Sequence, residues 1–151
     1  MPSPDDIFND FTLGEEERLS LDKHGHLLFP GLLTADTSER LINSLRQVTQ
    51  LGKQAVKGHE PQRFSAEFDE YLASLINHPQ MLMLARNILG EDIRYDHCVS
   101  LVRPAGTPAM PWHSHEYADD DPRLGFIRIF FYFSAFTSDD GGLKVVPGSH
   151  L

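Results

Sequence analysis

The chain has 151 residues, of which 40% are hydrophobic and 23% charged. That is enough for one globular domain with a real core and too little for two, and it is not the composition of a disordered segment. A net charge of −9 with no basic stripe argues against a nucleic-acid partner, whose phosphates need neutralising.

The single cysteine, Cys98, rules out an internal disulfide and fits a reducing compartment; it reads as a buried strand residue rather than a reactive thiol. No apolar run approaches the roughly 20 residues that span a bilayer. The N-terminus lacks the basic-then-apolar pattern of a signal peptide, so a cytoplasmic location with no membrane partner is expected.

Residues 1–151 are expected to form a single domain that changes character near Gly90. Residues 1–90 read as mainly helical. Thr12 with Glu15 is a capping-box signal for a helix running to about Lys23, with Gly25 as its stop. His26-Leu27-Leu28-Phe29-Pro30 reads as a short strand. Thr34 caps a second helix whose stripe is Leu41, Ile42, Leu45 and Val48. Phe64, Phe68, Leu72, Leu75 and Ile76 form a further stripe, closed by His78-Pro79. Met81 to Leu89 is a last helix ending at Gly90. These stripes are core-facing. The acidic runs Glu15–Glu17 and Asp119–Asp121 read as a solvated helix start and a solvated loop.

After Gly90 the period shortens to two. Ile93, Tyr95, His97, Val99 and Leu101 alternate with Arg94, Asp96, Cys98 and Ser100, as in a half-buried strand. A Pro/Gly-rich connection from Pro104 to Pro111 follows. Phe126 to Phe136 is a second strand with Ile127, Ile129, Phe131 and Phe133 on one face. Asp139-Asp140-Gly141-Gly142 is a tight turn, and Leu143 to Val146 a third strand. Helices followed by antiparallel-looking strands imply an α+β fold, with the strands in a sandwich or barrel.

Chemistry concentrates in Pro111-Trp112-His113-Ser114-His115-Glu116. On an extended strand, residues two apart face the same way, so His113 and His115 project together. Two imidazoles with a carboxylate are a ligand set that open-site transition metals, iron(II) in particular, accept. Glu116 joins them only if the strand bulges, because regular alternation turns it away. His97 shares parity with Tyr95 and Arg103. Trp112 and Tyr117 flank the motif and suit either a pocket wall or plain packing.

Several of these segments, in order, resemble the phytanoyl-CoA dioxygenase-like branch of the iron(II)/2-oxoglutarate oxygenases. They are Leu19 to Leu33, Val102-Arg103-Pro104, Trp112-His113-Ser114-His115, and Asp140-Gly141-Gly142-Leu143-Lys144-Val145-Val146-Pro147-Gly148-Ser149-His150. The resemblance implies N-terminal helices packed on a partial double-stranded β-helix, a cupin-like jelly roll whose first strands lie in residues 91–151. It implies Fe(II) as cofactor, 2-oxoglutarate as co-substrate and hydroxylation of a small-molecule substrate.

Carried over, His113 matches the first metal ligand. His115 stands where the family has an acidic second ligand, with Glu116 as the other candidate. Arg103 stands at a basic position suited to an anionic co-substrate, and His150 at a turn position that shapes a loop. The family's distal His and its 2-oxoglutarate-binding Arg come further along than Leu151, so the chain looks like the N-terminal portion of an oxygenase. Two other classes stay open: a non-catalytic jelly-roll remnant, and a metal-binding cupin-like module completed by a partner chain, for which a homodimer that covers exposed sheet edges is the expected form.

Overall fold

The computed structural model describes residues 7–114, 125–133 and 142–151. Within them lie four α-helices, all before Gly90: α1 (Glu15–His24), α2 (Ala35–Gln54), α3 (Glu70–Ile76) and α4 (Pro79–Leu89), with a 3₁₀ turn at Ser65–Glu67. The described parts of the segments expected as strands carry no regular secondary structure. One isolated antiparallel bridge, Phe8 to Leu33, is present among the described residues. The short strand expected at His26–Pro30 is absent; the bridge falls three residues beyond it.

Helix ends follow side-chain chemistry, with two differences from the sequence expectation. The first helix is capped at Gly14, not Thr12. Gly14 has no side chain to offer, so the cap rests on the Glu17 carboxylate, which accepts from the Gly14 N–H at 3.0 Å. Three glutamates in the first turn favour the positive end of the helix dipole. Thr34 caps α2 as expected, its hydroxyl oxygen accepting from the Thr37 N–H at 3.2 Å. His78 and Pro79 open α4, and Gly90, at φ 97°, ends it.

The second difference is the Phe64–Ile76 stripe, which is broken in two. Asp69 takes an extended conformation (φ −142°, ψ 118°), and its Oδ1 accepts from the Leu72 N–H at 2.9 Å. An N-cap residue cannot itself be helical, so α3 starts at Glu70 and Phe64 precedes a separate 3₁₀ turn. Leu72 and Leu75 are buried, whereas Phe68 is left exposed. The same Asp69 oxygen accepts from the buried Ser44 hydroxyl at 2.8 Å, which ties α2 to the start of α3.

The core joins Leu41 and Val48 of α2, Leu72 and Leu75 of α3, Met81 and Leu84 of α4, and Ile7 and Phe8 from the N-terminal segment. Gln80 holds that segment in place. Its Oε1 accepts from the Ile7 N–H at 3.0 Å and its Nε2 donates to the Phe8 carbonyl at 3.4 Å. Phe8 in turn stacks on Phe131 with ring centroids 6.4 Å apart, which joins the C-terminal half to the helices. Helix α1 buries no residue. It is held by Arg18, which donates to the Asn87 carbonyl of α4, and by the C-terminal turn.

That turn uses Gly25, the left-handed C-cap of α1 (φ 76°, ψ 9°). The Gly148 N–H donates to the His24 carbonyl at 2.9 Å, and His150 Nε2 lies 3.0 Å from the Asp22 carbonyl. A Cβ on Gly25 would collide with the His150 ring. Gly25→Ala is expected to cost about 1–2 kcal/mol for the left-handed backbone and further stability for the displaced imidazole. Adding His150→Ala should recover only the second part, read by urea unfolding. Asp69→Ala is expected to cost about 2 kcal/mol, by loss of the cap and of the Ser44 partner, and Asp69→Asn, which keeps an acceptor, clearly less in the same assay.

Candidate functional site

Segment 91–114 carries most of the candidate residues, and it is hydrogen-bonded to the helical half at Cys98 and Ser100. Ser65, fully buried, donates twice to the Cys98 carbonyl: from its N–H at 2.9 Å and from its hydroxyl at 2.7 Å. The Ser100 N–H returns a bond to the Gln62 carbonyl at 2.8 Å. Ser100 is buried and Cys98 half-buried, while Tyr95, Val99 and Leu101 are 49%, 51% and 63% exposed. From Cys98 to Leu101 the polar residues face the helices and the apolar ones face outward; earlier in the segment Arg94 and Asp96 are exposed and Ile93 and His97 half-buried, so the alternation expected over 93–101 is not kept throughout. Hydrogen-bond donors and acceptors on the 62–65 side dictate the inward turn of Cys98 and Ser100, since a buried Ser65 needs a polar partner.

Arg103 has the parity of that outward face and is exposed. Its guanidinium donates to the Pro108 carbonyl, across the connecting loop. The loop is tightened by Thr107, whose N–H and hydroxyl both donate to the Pro104 carbonyl, at 3.1 and 2.6 Å. His97 has the same parity but is held elsewhere. Its Nδ1 lies 2.7 Å from the Asp96 carboxylate and its ring meets Phe64 edge-on at 6.2 Å, a structural role. Trp112 is 69% exposed and buries nothing large.

His113 is exposed, with Nδ1 2.8 Å from the Pro111 carbonyl. A carbonyl oxygen can only accept, so Nδ1 carries the proton and the lone pair of the neutral ring sits on Nε2. That is the tautomer in which metal-binding histidines are usually held. His115, Glu116, Tyr117 and the acidic run Asp119–Asp121 lie outside the described residues. Among the described residues no group of three or more His, Cys, Asp or Glu is placed to hold a metal. The donor chemistry at His113 therefore fits one metal–imidazole bond. His150 does not join it: its Nε2 donates to the end of α1.

Among the described residues, three groups titrate away from their ordinary values. Burial pushes the Tyr95 hydroxyl up to about 12, aided by the Cys98, Glu67 and Asp96 charges. Burial also raises the Cys98 thiol, with Asp69 adding to it and the hydrogen bond from Ser65 opposing it. Cys98 is therefore a protonated, inert thiol at neutral pH, as its position in the alternation suggests. Tyr132 is raised by burial as well. Sequence reading missed Ser65, Asp69 and Gln80. Asp69 directly before a Glu at a helix start was the legible signal; nothing local marks Ser65 or Gln80.

A family model described as phytanoyl-CoA dioxygenase (PhyH) matches residues 21–151. No curated protein and no solved structure matches the chain. No helix among the described residues is long and apolar enough to cross a membrane.

The raised Tyr95 and Cys98 values set an alkaline limit. The folded chain holds both protons more tightly than the unfolded one, so their contribution to stability is complete below the ordinary thiol value of 9.0. It is lost as pH rises toward about 12. Urea midpoints measured from roughly pH 8 to pH 11 should fall, and Tyr95→Phe should flatten the upper part of that fall.

Proposed function

The chain belongs to the phytanoyl-CoA dioxygenase family, and from that premise we propose that it is an iron(II)/2-oxoglutarate-dependent dioxygenase that hydroxylates a small organic substrate. The observation that carries the reading to particular residues is the His113 contact with the Pro111 carbonyl. It holds the imidazole in the tautomer that offers Nε2 to a metal. His115, two residues on, is the second ligand in this reading, and Glu116 its alternative where the chain bulges.

In this reading the N-terminal helices back a jelly roll built from the segments after Gly90. The exposure pattern supports that reading. From Phe130 to Phe133, Phe131 and Phe133 are half-buried while Phe130 and Tyr132 are exposed, an alternation that suits a strand; Ile129, of the inward parity, is 37% exposed.

Iron with 2-oxoglutarate supplies the oxygen-activating chemistry. The chain's own task is to hold and orient. Arg103 stands on the outward face with donors beyond the one given to Pro108, and its fork suits a carboxylate of the co-substrate. His113 contributes a neutral donor and His115 would contribute another, so the site is less negative than a His/carboxylate pair. That lowered charge weakens the hold on a divalent cation and strengthens the pull on an anionic co-substrate.

Anaerobic addition of Fe(II) and 2-oxoglutarate should give the weak visible charge-transfer band of a bidentate complex, and aerobic incubation should consume 2-oxoglutarate. His113→Ala should abolish both. Arg103→Ala should raise the 2-oxoglutarate KM roughly tenfold or more, the loss of one charge-assisted hydrogen-bonded contact. A wild-type chain with neither band nor turnover would overturn the reading. Iron binding without turnover would leave the metal-binding module in its place.

A further inference from the structure

Ser65 belongs to no motif, yet it is the best-satisfied buried side chain at the junction between the helices and segment 91–114. Three observations converge on it. Its N–H and its hydroxyl both donate to one carbonyl, that of Cys98, at 2.9 and 2.7 Å. The residue is fully buried. Two positions along the partner segment, Ser100 is buried as well and its N–H donates to the Gln62 carbonyl at 2.8 Å. The spacing is complementary, with residues 62 and 65 on one side meeting 100 and 98 on the other.

Side chains of an extended segment change face at every residue, so a slip of one position would exchange the two sets completely. Cys98 and Ser100 would turn outward, and Val99 and Leu101 would turn against the helices. The apolar pattern alone does not prevent this slip. It favours it, because the slip would bury Val99 and Leu101, now 51% and 63% exposed. Something must oppose that gain, and the buried hydroxyl is suited to do so, because a slip would strip its acceptor away at a cost of about 1–3 kcal/mol.

We propose that Ser65 is a positioning residue that locks the register of residues 98–101 and thereby fixes where the chain leaves the helices on its way to Arg103. The consequence for co-substrate binding rests on the functional reading above; the register lock itself does not. The 3₁₀ turn at Ser65–Glu67 then has a use beyond connecting two helices. It aims a backbone N–H and a hydroxyl at one carbonyl.

The single cysteine makes the register measurable without any activity. In the intact chain, Cys98 should react with a thiol-specific disulfide reagent at least tenfold more slowly than after unfolding. Ser65→Ala should speed that reaction at least tenfold in a chain that keeps its far-UV helical signal, and Ser65→Thr, which retains both donors, should restore slow labelling relative to Ser65→Ala. Unchanged Cys98 labelling in a folded Ser65→Ala chain would overturn the register lock.

Should Ser65→Ala fail to fold, Cys98 labelling of the wild type along a shallow urea series takes its place. Protection lost only with the helical signal upholds the lock, and protection lost well before it overturns it. Where the wild type turns over 2-oxoglutarate, Ser65→Ala should raise its KM with kcat within about twofold, and should add nothing to Arg103→Ala in the double variant. Equal losses in kcat and KM, or additive effects, would overturn the positioning role. A wild type that fails to turn over 2-oxoglutarate sinks the functional reading alone, and the labelling still decides the register.

Discussion

One buried oxygen, Asp69 Oδ1, organises the middle of the molecule. It accepts from Ser44 on α2 and from the Leu72 N–H at the start of α3, so two helices are referred to one point. To do this Asp69 must leave helical geometry, and the chain before it is released from what would otherwise be one long amphipathic helix. The released part becomes the short turn that carries Ser65. Its donors, unused within a helix, are free to meet Cys98. Docking of the segment that leads to Arg103 and His113 thus depends on a helix being broken four residues away. A buried carboxylate with two donors on one oxygen is stable only while both remain in place, so the junction behaves as a unit.

A second junction closes the chain on itself at the end of α1. Gly25 provides both the left-handed cap and the open space that the His150 imidazole fills. The helix presents carbonyls with no intrahelical partner at this end, and Gly148 and His150 satisfy those of His24 and Asp22. Because a carbonyl accepts only, His150 is committed as a donor here. This separates the two histidines that chemistry alone makes equivalent: His150 serves the scaffold through Nε2, and His113 keeps its proton on Nδ1 against Pro111. Neither assignment follows from residue type. Each follows from what lies within 3 Å of one ring nitrogen.

Burial of polar groups rather than of apolar ones decides the orientation of residues 98–101. Val99 and Leu101 offer more hydrophobic gain than Cys98 and Ser100, yet they face outward. Hydrophobic burial has no direction, whereas a hydrogen bond has one. Where the two compete at a junction already lined with backbone donors and acceptors, direction wins, and Val99 and Leu101 stay exposed. The same competition is absent at Phe131, which meets the Phe8 ring and is half-buried.

Periodicity, caps and punctuation were enough to determine part of the helical half: α2 with its Thr34 cap, α4 with its Gly90 stop, and the end of α1 at Gly25. The ordered motifs from Leu19 to His150 were enough to place the chain in its family. These are local signals, written within a few residues of the structure they produce. Three features needed the tertiary structure. The break at Asp69 depends on Ser44, 25 residues away; the outward turn of Val99 and Leu101 depends on Ser65, 33 residues from its acceptor; and the role of His150 depends on Asp22, 128 residues distant. An amphipathic pattern states that a segment has two faces. Which face turns inward is decided by the partner that the fold brings to it, and that partner is not written in the segment itself.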